Sequence, residues 1–351
     1  MSKSITIAVD AMGGDNAPDI VLEGIALALE QIPNIHILLF GDEKKLKKSV
    51  TSEYPSIEKN VTYKHTVDVV SSIDKPSQAL RKGRKSSMAL AIQSVKAGEA
   101  AVAVSAGNTG ALMALSKFIL RTMPNIDRPA LCAPMPTIRG ESVMLDLGAN
   151  IECDANNLVQ FAIMGSAYAR TVLGLSNPSV GLLNVGVEDL KGKESIREAA
   201  EVLKEATHLP LKFGGFVEGD GVTSGEFDVI VSDGFTGNVA LKTAEGTVKF
   251  ISQLLKNAFS NSILSKIGYI FSKGAISNLK EHLDPNHHNG AVFLGLNGLV
   301  VKSHGGANGV GFANALMVAS DMAQNDITNL IGNDLNEITD SEELAIVNSL
   351  K

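Results

Sequence analysis

Six apolar runs in this chain each end in a loop of Gly, Asn and Asp: AVDAMGGDNAP (8–18), AVAVSAGNTGAL (101–112), SVMLDLGAN (142–150), VGLLNVGVEDLKGKE (180–194), DVIVSDGFTGNVALK (228–242) and LVVKSHGGANGVGFANA (299–315). The loops offer carboxamides, on Asn108, Asn150, Asn184, Asn238 and Asn308, and few strong bases. Neutral donors suit holding phosphate oxygens or a developing oxyanion better than pulling a proton from carbon. In the first loop Gly13 and Gly14 free a sharp turn of Cβ atoms, and Asp15 or Asn16 can cap a helix with Pro18 in its first turn. N–H groups there, at the positive end of a helix dipole, would face a phosphate or carboxylate. Asp10, at the strand end, would repel a bare anion and is expected to orient a neighbouring donor instead. Arg81, Lys82, Arg84 and Lys85 precede Ser86-Ser87-Met88, where a helix could start. Such a cluster is either a solvated charge run or a dock for phosphate or an acidic partner.

Positioning these loops requires strands and helices in alternation. Strands are expected over 5–9, 35–41, 101–105, 131–135, 143–147, 180–185 and 229–232, with helices such as 19–31, 157–173 and 195–207 between them. The runs are apolar throughout rather than alternating, as in strands buried on both faces, so the fold class is α/β with a largely parallel, doubly wound sheet. Ligands of such sheets sit beyond the carboxyl ends of the strands, so the six loops could converge on one crevice. The 351 residues allow two domains or one large α/β unit with an elaboration, and the absence of repeats or linkers favours a single unit over 1–333. The weak candidates for a boundary are 122–136 and 283–290. A polar tail, expected to fray, follows over 334–351.

A stretch from Gly246 to Lys280 departs from the pattern, with five lysines and no acid in a chain of net charge −7. Ile251, Leu254, Leu255, Phe259, Ile263, Leu264, Ile267, Ile270 and Phe271 recur at helical spacing, giving an amphipathic, basic protrusion over 246–282. Such a face, with Lys266, Ile267, Phe271 and Lys273 among its residues, could lie on an anionic membrane, grip an acidic partner, or pack on the body or across a dimer interface.

Several classes drop out. The acidic net charge argues against a nucleic-acid binder. The chain opens with no basic, then apolar, leader, and no apolar run reaches the roughly 18 residues of a membrane span, so a cytosolic location is expected. Cys132 and Cys153 are the only cysteines and lack metal or redox spacing; both read as structural thiols. The 186–193 segment resembles a P-loop, but Glu194 stands where Ser or Thr would hold magnesium. Gly309 and Gly311 lack the third glycine of a dinucleotide loop, there is no GxSxG or HExxH, and His287-His288 reads as a surface turn. No metal and no cofactor is expected.

The motifs AVDAMGGDNAP, SSMALA, VSAGNTGALM, DRPA, DLGAN, FAIMGSAYAR, VGLLNVGVEDLKG and SDGFTGNVALK, in this order and spread over residues 5 to about 323, closely resemble those of the PlsX-type phosphate acyltransferases. The resemblance implies a three-layer α/β/α body similar to phosphate acetyltransferases and, more remotely, isocitrate and isopropylmalate dehydrogenases, and a homodimer. It implies transfer of a long-chain acyl group from acyl carrier protein to orthophosphate, with the acyl phosphate passed to a membrane glycerol-3-phosphate acyltransferase for phospholipid synthesis. Lys191 and Asn238 occupy positions that look catalytic in the family, the first as charge on phosphate or oxyanion and the second as a fixed donor. Asp10, Asn108 and Asp233 would orient them. His304 is either a reserve acid for the leaving thiolate or a hydrogen-bonded structural histidine. Gly13, Gly14, Asp15, Ser86, Ser87, Thr109, Asn150 and Gly237 complete the expected phosphate and substrate set, with Arg81, Lys82, Arg84 and Lys85 toward the carrier protein. The chemistry is consistent: orthophosphate is already an anionic nucleophile and a thiol of pKa near 8.5 leaves without a strong acid, so phosphate would attack directly, with no covalent acyl-enzyme. Two alternatives stay open, an enzyme of the phosphate acetyltransferase type using a coenzyme A thioester, and a non-catalytic membrane scaffold for fatty-acid enzymes.

Overall fold

A computed structural model describes residues 4–339, Pro285 apart. One 11-stranded sheet runs through the molecule. Its strands are β1 (Ile5–Asp10), β2 (Ile35–Gly41), β3 (Val61–His65), β4 (Val102–Ser105), β5 (Ala130–Thr137), β6 (Gly140–Leu145), β7 (Ser179–Leu183), β8 (Lys212–Val217), β9 (Val229–Val231), β10 (Ala291–Leu294) and β11 (Leu299–Lys302). The helices are α1 (Asp19–Gln31), α2 (Glu43–Glu53), α3 (Pro76–Lys82), α4 (Ser87–Lys96), α5 (Thr109–Leu120), α6 (Ala155–Val172), α7 (Glu194–Glu205), α8 (Gly234–Ser260), α9 (Ile263–Leu283), α10 (Gly309–Gln324) and α11 (Ile327–Thr339). The spatial order is β3-β2-β1-β4-β11-β10-β5-β6-β9-β7-β8.

The period of two sends alternate residues to opposite faces. Ile7 and Val9 of β1 enter the core that packs α1, α6, α7, α10 and α11, while Ala8 enters the one that packs α4 and α5. Both faces are therefore covered, and β4, β9 and β11 are buried at every position, which is why they read as unbroken apolar runs.

Two half-sheets of parallel strands meet at an antiparallel seam formed by β10 and β5, and β6 runs opposite to β4 and β11. Leu145, the last residue of β6, stands opposite Cys132, Cys132 opposite Val292, Val292 opposite Val301, and Val301 beside Val104. The register thus brings the carboxyl ends of β4 and β11 level with that of β6 although the halves point in opposite directions. Val231 of β9 aligns with Leu145, and Leu182 of β7 with Val231, so the strand ends of both halves lie level across the seam.

Two expectations need correction. Neither Asp15 nor Asn16 caps α1, whose N-cap is Pro18 without a side-chain bond. The body also continues past 334: α11 reaches Thr339, Asp334 and Leu335 are buried in it, and Asp334 pairs with Arg170 of α6. Residues 340–351 of the expected tail lie outside the described residues. The expected protrusion is present as α8 and α9, which pack on each other through an edge-to-face contact of Phe259 with Tyr269 at 5.5 Å. Only Gly234 and Gly237, at the root, are buried in α8.

Candidate active site

A cavity of about 590 Å³ opens across the seam. Its walls are apolar: Met113 of α5, Leu131, Ala133 and Met135 of β5, Leu147 after β6, Leu241 and Val248 of α8, and Phe293 of β10. Polar groups join it at Thr109, Asn238, Lys242, Glu245, His288, Asn289, Lys302 and His304. Of the residues expected from the sequence, Thr109, Asn238 and His304 line this cavity.

The glycine-rich turns turn inward. Met12 N–H donates to Asp10 at 3.2 Å, Ser105 Oγ donates to it at 2.7 Å, and Ser87 and the Gly13 N–H also bond it. Burial raises the Asp10 carboxyl above the usual carboxylate range, and these four bonds oppose that rise. The anion held by this loop is thus the chain's own carboxylate. A Cβ on Gly13 would collide with Asp10 Oδ2 and stand 2.8 Å from Gly107 N, so this glycine serves close packing. Gly14, at φ +109°, packs on Ala106, and Asp15 N–H donates to Gly305 O at 3.0 Å. Asp146, which sequence reasoning overlooked, repeats the device after β6. It is wholly buried and accepts from the N–H groups of Leu131, Gly148, Ala149 and Asn150 and from Asn150 Nδ2. Its signal was the Asp at or just past the end of three strands, in VDAMGG, LDLGAN and SDGFTG.

Several of the other expected binding residues make bonds within the fold. Ser86 caps α4, accepting from Ala89 N–H, and donates to Gly83 O, and both it and Ser87 are buried. Asn108 caps α5, and its Nδ2 donates to Ser72 O and Asp74 O at 2.8 and 3.0 Å. Asn150 donates to Pro129 O. A Cβ on Gly237 would collide with the Asp146 carbonyl, so this glycine lets α8 approach the post-β6 loop. Asp233 caps α8 through Thr236 N–H at 2.7 Å and accepts from Lys193 Nζ at 2.8 Å. Burial works to raise its pKa, but the Lys193 and Thr236 bonds win and hold it low, and the same pair raises Lys193.

Lys191 lies in the exposed loop after β7 and does not line the cavity. Asn184 Nδ2 ties that loop down by donating to Gly186 O and Lys191 O. Asn238 lies one turn into α8 with its carboxamide beside Gly148. Among the described residues nothing hydrogen-bonds that carboxamide, which leaves its donors for a ligand.

His304 Nδ1 accepts the Gly306 N–H at 3.1 Å, so the ring proton sits on Nε2. Burial and then Lys242 push its pKa down, so the ring is a neutral donor at neutral pH. His288 is not a free surface residue: its Nδ1 meets Glu141 Oε1 at 2.6 Å and it borders the cavity. Lys302, also absent from the sequence expectations, enters the cavity buried. Both thiols are held protonated, Cys132 by complete burial and Cys153, pushed up to about 12, by burial and the charge of Asp146. Among the described residues no group of His, Cys, Asp and Glu could hold a metal ion.

Arg81, Lys82, Arg84 and Lys85 are exposed around the end of α3, and Arg84 and Arg121 both stack on Phe118 of α5, at 5.2 and 5.8 Å. Lys266, Ile267, Phe271 and Lys273 are exposed on α9, with Phe271 at 87%. No helix among the described residues is long and apolar enough to cross a membrane.

Comparison with known proteins agrees with this architecture. The phosphotransacetylase of Streptococcus pyogenes superposes with a TM-score of 0.61 at 15% identity, covering 92% of this chain and 95% of that one. The EutD phosphotransacetylase of Staphylococcus aureus gives 0.59 at 17% identity over 91% and 94%. These likenesses show a shared fold. At the level of sequence, the family model described as "Fatty acid synthesis protein" matches residues 5–330. The phosphate acyltransferase of Paramagnetospirillum magneticum is 53% identical over 342 residues, 97% of each chain, and that of Rhodospirillum rubrum is 55% identical over 324 residues, 92% of each. The chain therefore belongs to the phosphate acyltransferase family of fatty acid synthesis proteins and is an acyltransferase.

Proposed function

We propose that the protein moves a long-chain acyl group from the thioester of acyl carrier protein to orthophosphate, releasing acyl phosphate and the carrier thiol. The observation that carries this is the cavity itself: apolar walls for a hydrocarbon chain and a cluster of donors and cations at Asn238, Lys242, Lys302 and His304, in a protein whose two thiols are both held protonated. A phosphate oxygen attacks the thioester carbon, the carbonyl oxygen takes the negative charge, and collapse of the adduct breaks the C–S bond. Asn238, whose carboxamide lies beside Gly148 with its donors free, is the donor for that oxyanion. The Nε2–H of the neutral His304 donates a hydrogen bond to the leaving thiolate, which departs without needing a proton. Lys191 acts from the loop that Asn184 anchors, beside the Lys193–Asp233 pair that caps the helix bearing Asn238.

The basic residues Arg81, Lys82, Arg84 and Lys85 are assigned to the acidic carrier protein, because α5, which they flank, lines the cavity with its first turn. The apolar and lysine-bearing surface of α8 and α9 is assigned to a second copy of the chain and, at Ile263, Leu264 and Phe271, to anionic lipid, from which a glycerol-3-phosphate acyltransferase would take the product. Incubating the purified protein with phosphate and either palmitoyl carrier protein or palmitoyl coenzyme A, then trapping acyl phosphate with hydroxylamine, tests the donor. Product from the carrier protein is expected. Product from coenzyme A alone would transfer the assignment to a coenzyme A-dependent phosphotransacylase, and product from neither would overturn it.

A further inference from the structure

Lys302 ends β11 with only 6% of its surface exposed, yet it borders the cavity. Its ammonium donates to two carbonyls, of Ala106 at 3.4 Å and of Ser303, and among the described residues no ion pair holds it. A buried cation satisfied only by neutral partners is costly, and a structural lysine this deep normally meets a carboxylate. Asp15 and Asp10 act on it only as charges, without a hydrogen bond, and Asp10 is already bonded by Ser87, Ser105, Met12 and Gly13. An anion entering the cavity would give the ammonium the directly bonded anionic partner it lacks.

The frame around it is rigid. Ser303 N–H donates to Ser105 O, His304 N–H to Asn289 Oδ1 at 2.9 Å, and Asp15 N–H to Gly305 O, so the loops after β1, β4 and β11 are fastened together beneath the ammonium. Lys242, held by Glu245 at 2.9 Å, and the Nε2–H of His304 stand in the same cavity. We propose that the buried ammonium of Lys302 binds the orthophosphate nucleophile at the polar end of the apolar cavity, an inference that rests on the phosphate-transfer reading above. The lysine then fixes the attacking group, while Asn238 meets the oxyanion across the seam. Burial, seconded by Lys242, pulls the pKa of Lys302 down to about 8, against the pull of Asp15 and Asp10, and a bound anion would raise it again.

Removing an unmatched buried charge should stabilise the empty protein, whereas losing a merely structural lysine should not. The test is thermal unfolding of wild type and Lys302→Met with and without inorganic phosphate or sulfate, alongside the KM for phosphate. The variant is expected to melt at or above the wild-type temperature without anion, to lose the anion-induced rise, and to show a phosphate KM raised about tenfold or more, as for a lost charged hydrogen bond. Sulfate stays a dianion throughout, so its affinity for wild type should fall as pH rises through about 8. That profile needs no variant, and Lys302→Gln repeats the comparison should the methionine protein not fold. An anion-induced rise unchanged in the variant, or sulfate affinity flat across pH 8, overturns the site. If wild type forms acyl phosphate while the variant binds phosphate normally, the site alone fails. If phosphate binding depends on Lys302 but no acyl phosphate forms from either thioester, the transfer reading fails and the site stands.

Discussion

Asn238 carries the sharpest expectation at the scale of single residues. Loss of one preorganised oxyanion donor costs about 2.7–4 kcal/mol of transition-state stabilisation, so Asn238→Ala should lower kcat by roughly a hundred- to a thousandfold with the fold intact. Steady-state rates with far-ultraviolet circular dichroism check this, and a near wild-type rate would remove Asn238 from the mechanism. Lys191→Ala, at an exposed position, should also fold normally, and its rate loss measures how far the loop after β7 takes part. The two cysteines make the opposite prediction. Because both thiols are held protonated and neither has an activating partner, Cys132→Ala with Cys153→Ala should keep turnover within a few-fold. Labelled acyl chain recovered on either sulfur would contradict direct transfer.

At the scale of elements, the close approach of α8 to the post-β6 loop depends on Gly237 having no side chain. Gly237→Ala should therefore destabilise the protein by several kcal/mol, within the range of overpacked cores or above it, and denaturant unfolding at unchanged m-value would show it. The His288–Glu141 pair joins the segment after α9 to β6 and should be pH-sensitive. Glu141 is lowered, first by its bond to His288, so its contribution is present above the ordinary glutamate pKa and is lost as pH falls through its lowered value. His288 is raised, first by its bond to Glu141, so its contribution is complete below the ordinary histidine pKa and is lost as pH rises through the raised one. Both are in place between the two ordinary values, about pH 4.3 to 6.5. Glu141→Gln should flatten the pH dependence of the melting temperature around that window, and an unaltered profile would show that the pair contributes nothing. These elements also show what a sequence can disclose. Unbroken apolar runs such as VAVS and LVVK announce strands buried on both faces, and Asn238 stands out as a carboxamide beside a strand end. The destination of a loop's N–H groups does not show: Gly13 and the carboxamides of Asn108 and Asn150 have the composition of an anion site, yet folding directs them to Asp10, to Ser72 and Asp74, and to Asp146. Lys302 was hidden for a similar reason, because a lysine at a strand end looks solvated until the antiparallel seam closes over it.

Across the whole molecule, the seam decides where chemistry can occur. Two parallel half-sheets of opposite direction would present their carboxyl ends on opposite edges were it not for the register of β5 with β6 and β10, which sets those ends level around one cavity. The α8–α9 protrusion leaves that body with Ile263, Leu264 and Phe271 at least 78% exposed. Ile267→Asp with Phe271→Asp should abolish binding to anionic vesicles and leave turnover in solution largely intact, because each lysine left at the surface contributes only about 1 kcal/mol. Unchanged vesicle binding would exclude lipid as the occupant of this face, and a shift to a smaller species on sizing chromatography would assign the face to a second copy of the chain. Direct transfer requires that phosphate be the group that attacks the thioester. A single-turnover experiment with enzyme in excess over palmitoyl carrier protein tests this most directly, following free carrier thiol and acyl phosphate together. With phosphate present the two should appear at one rate, and with phosphate omitted no thiol should be freed; a burst of thiol without phosphate, or thiol release unaccompanied by acyl phosphate, would contradict it.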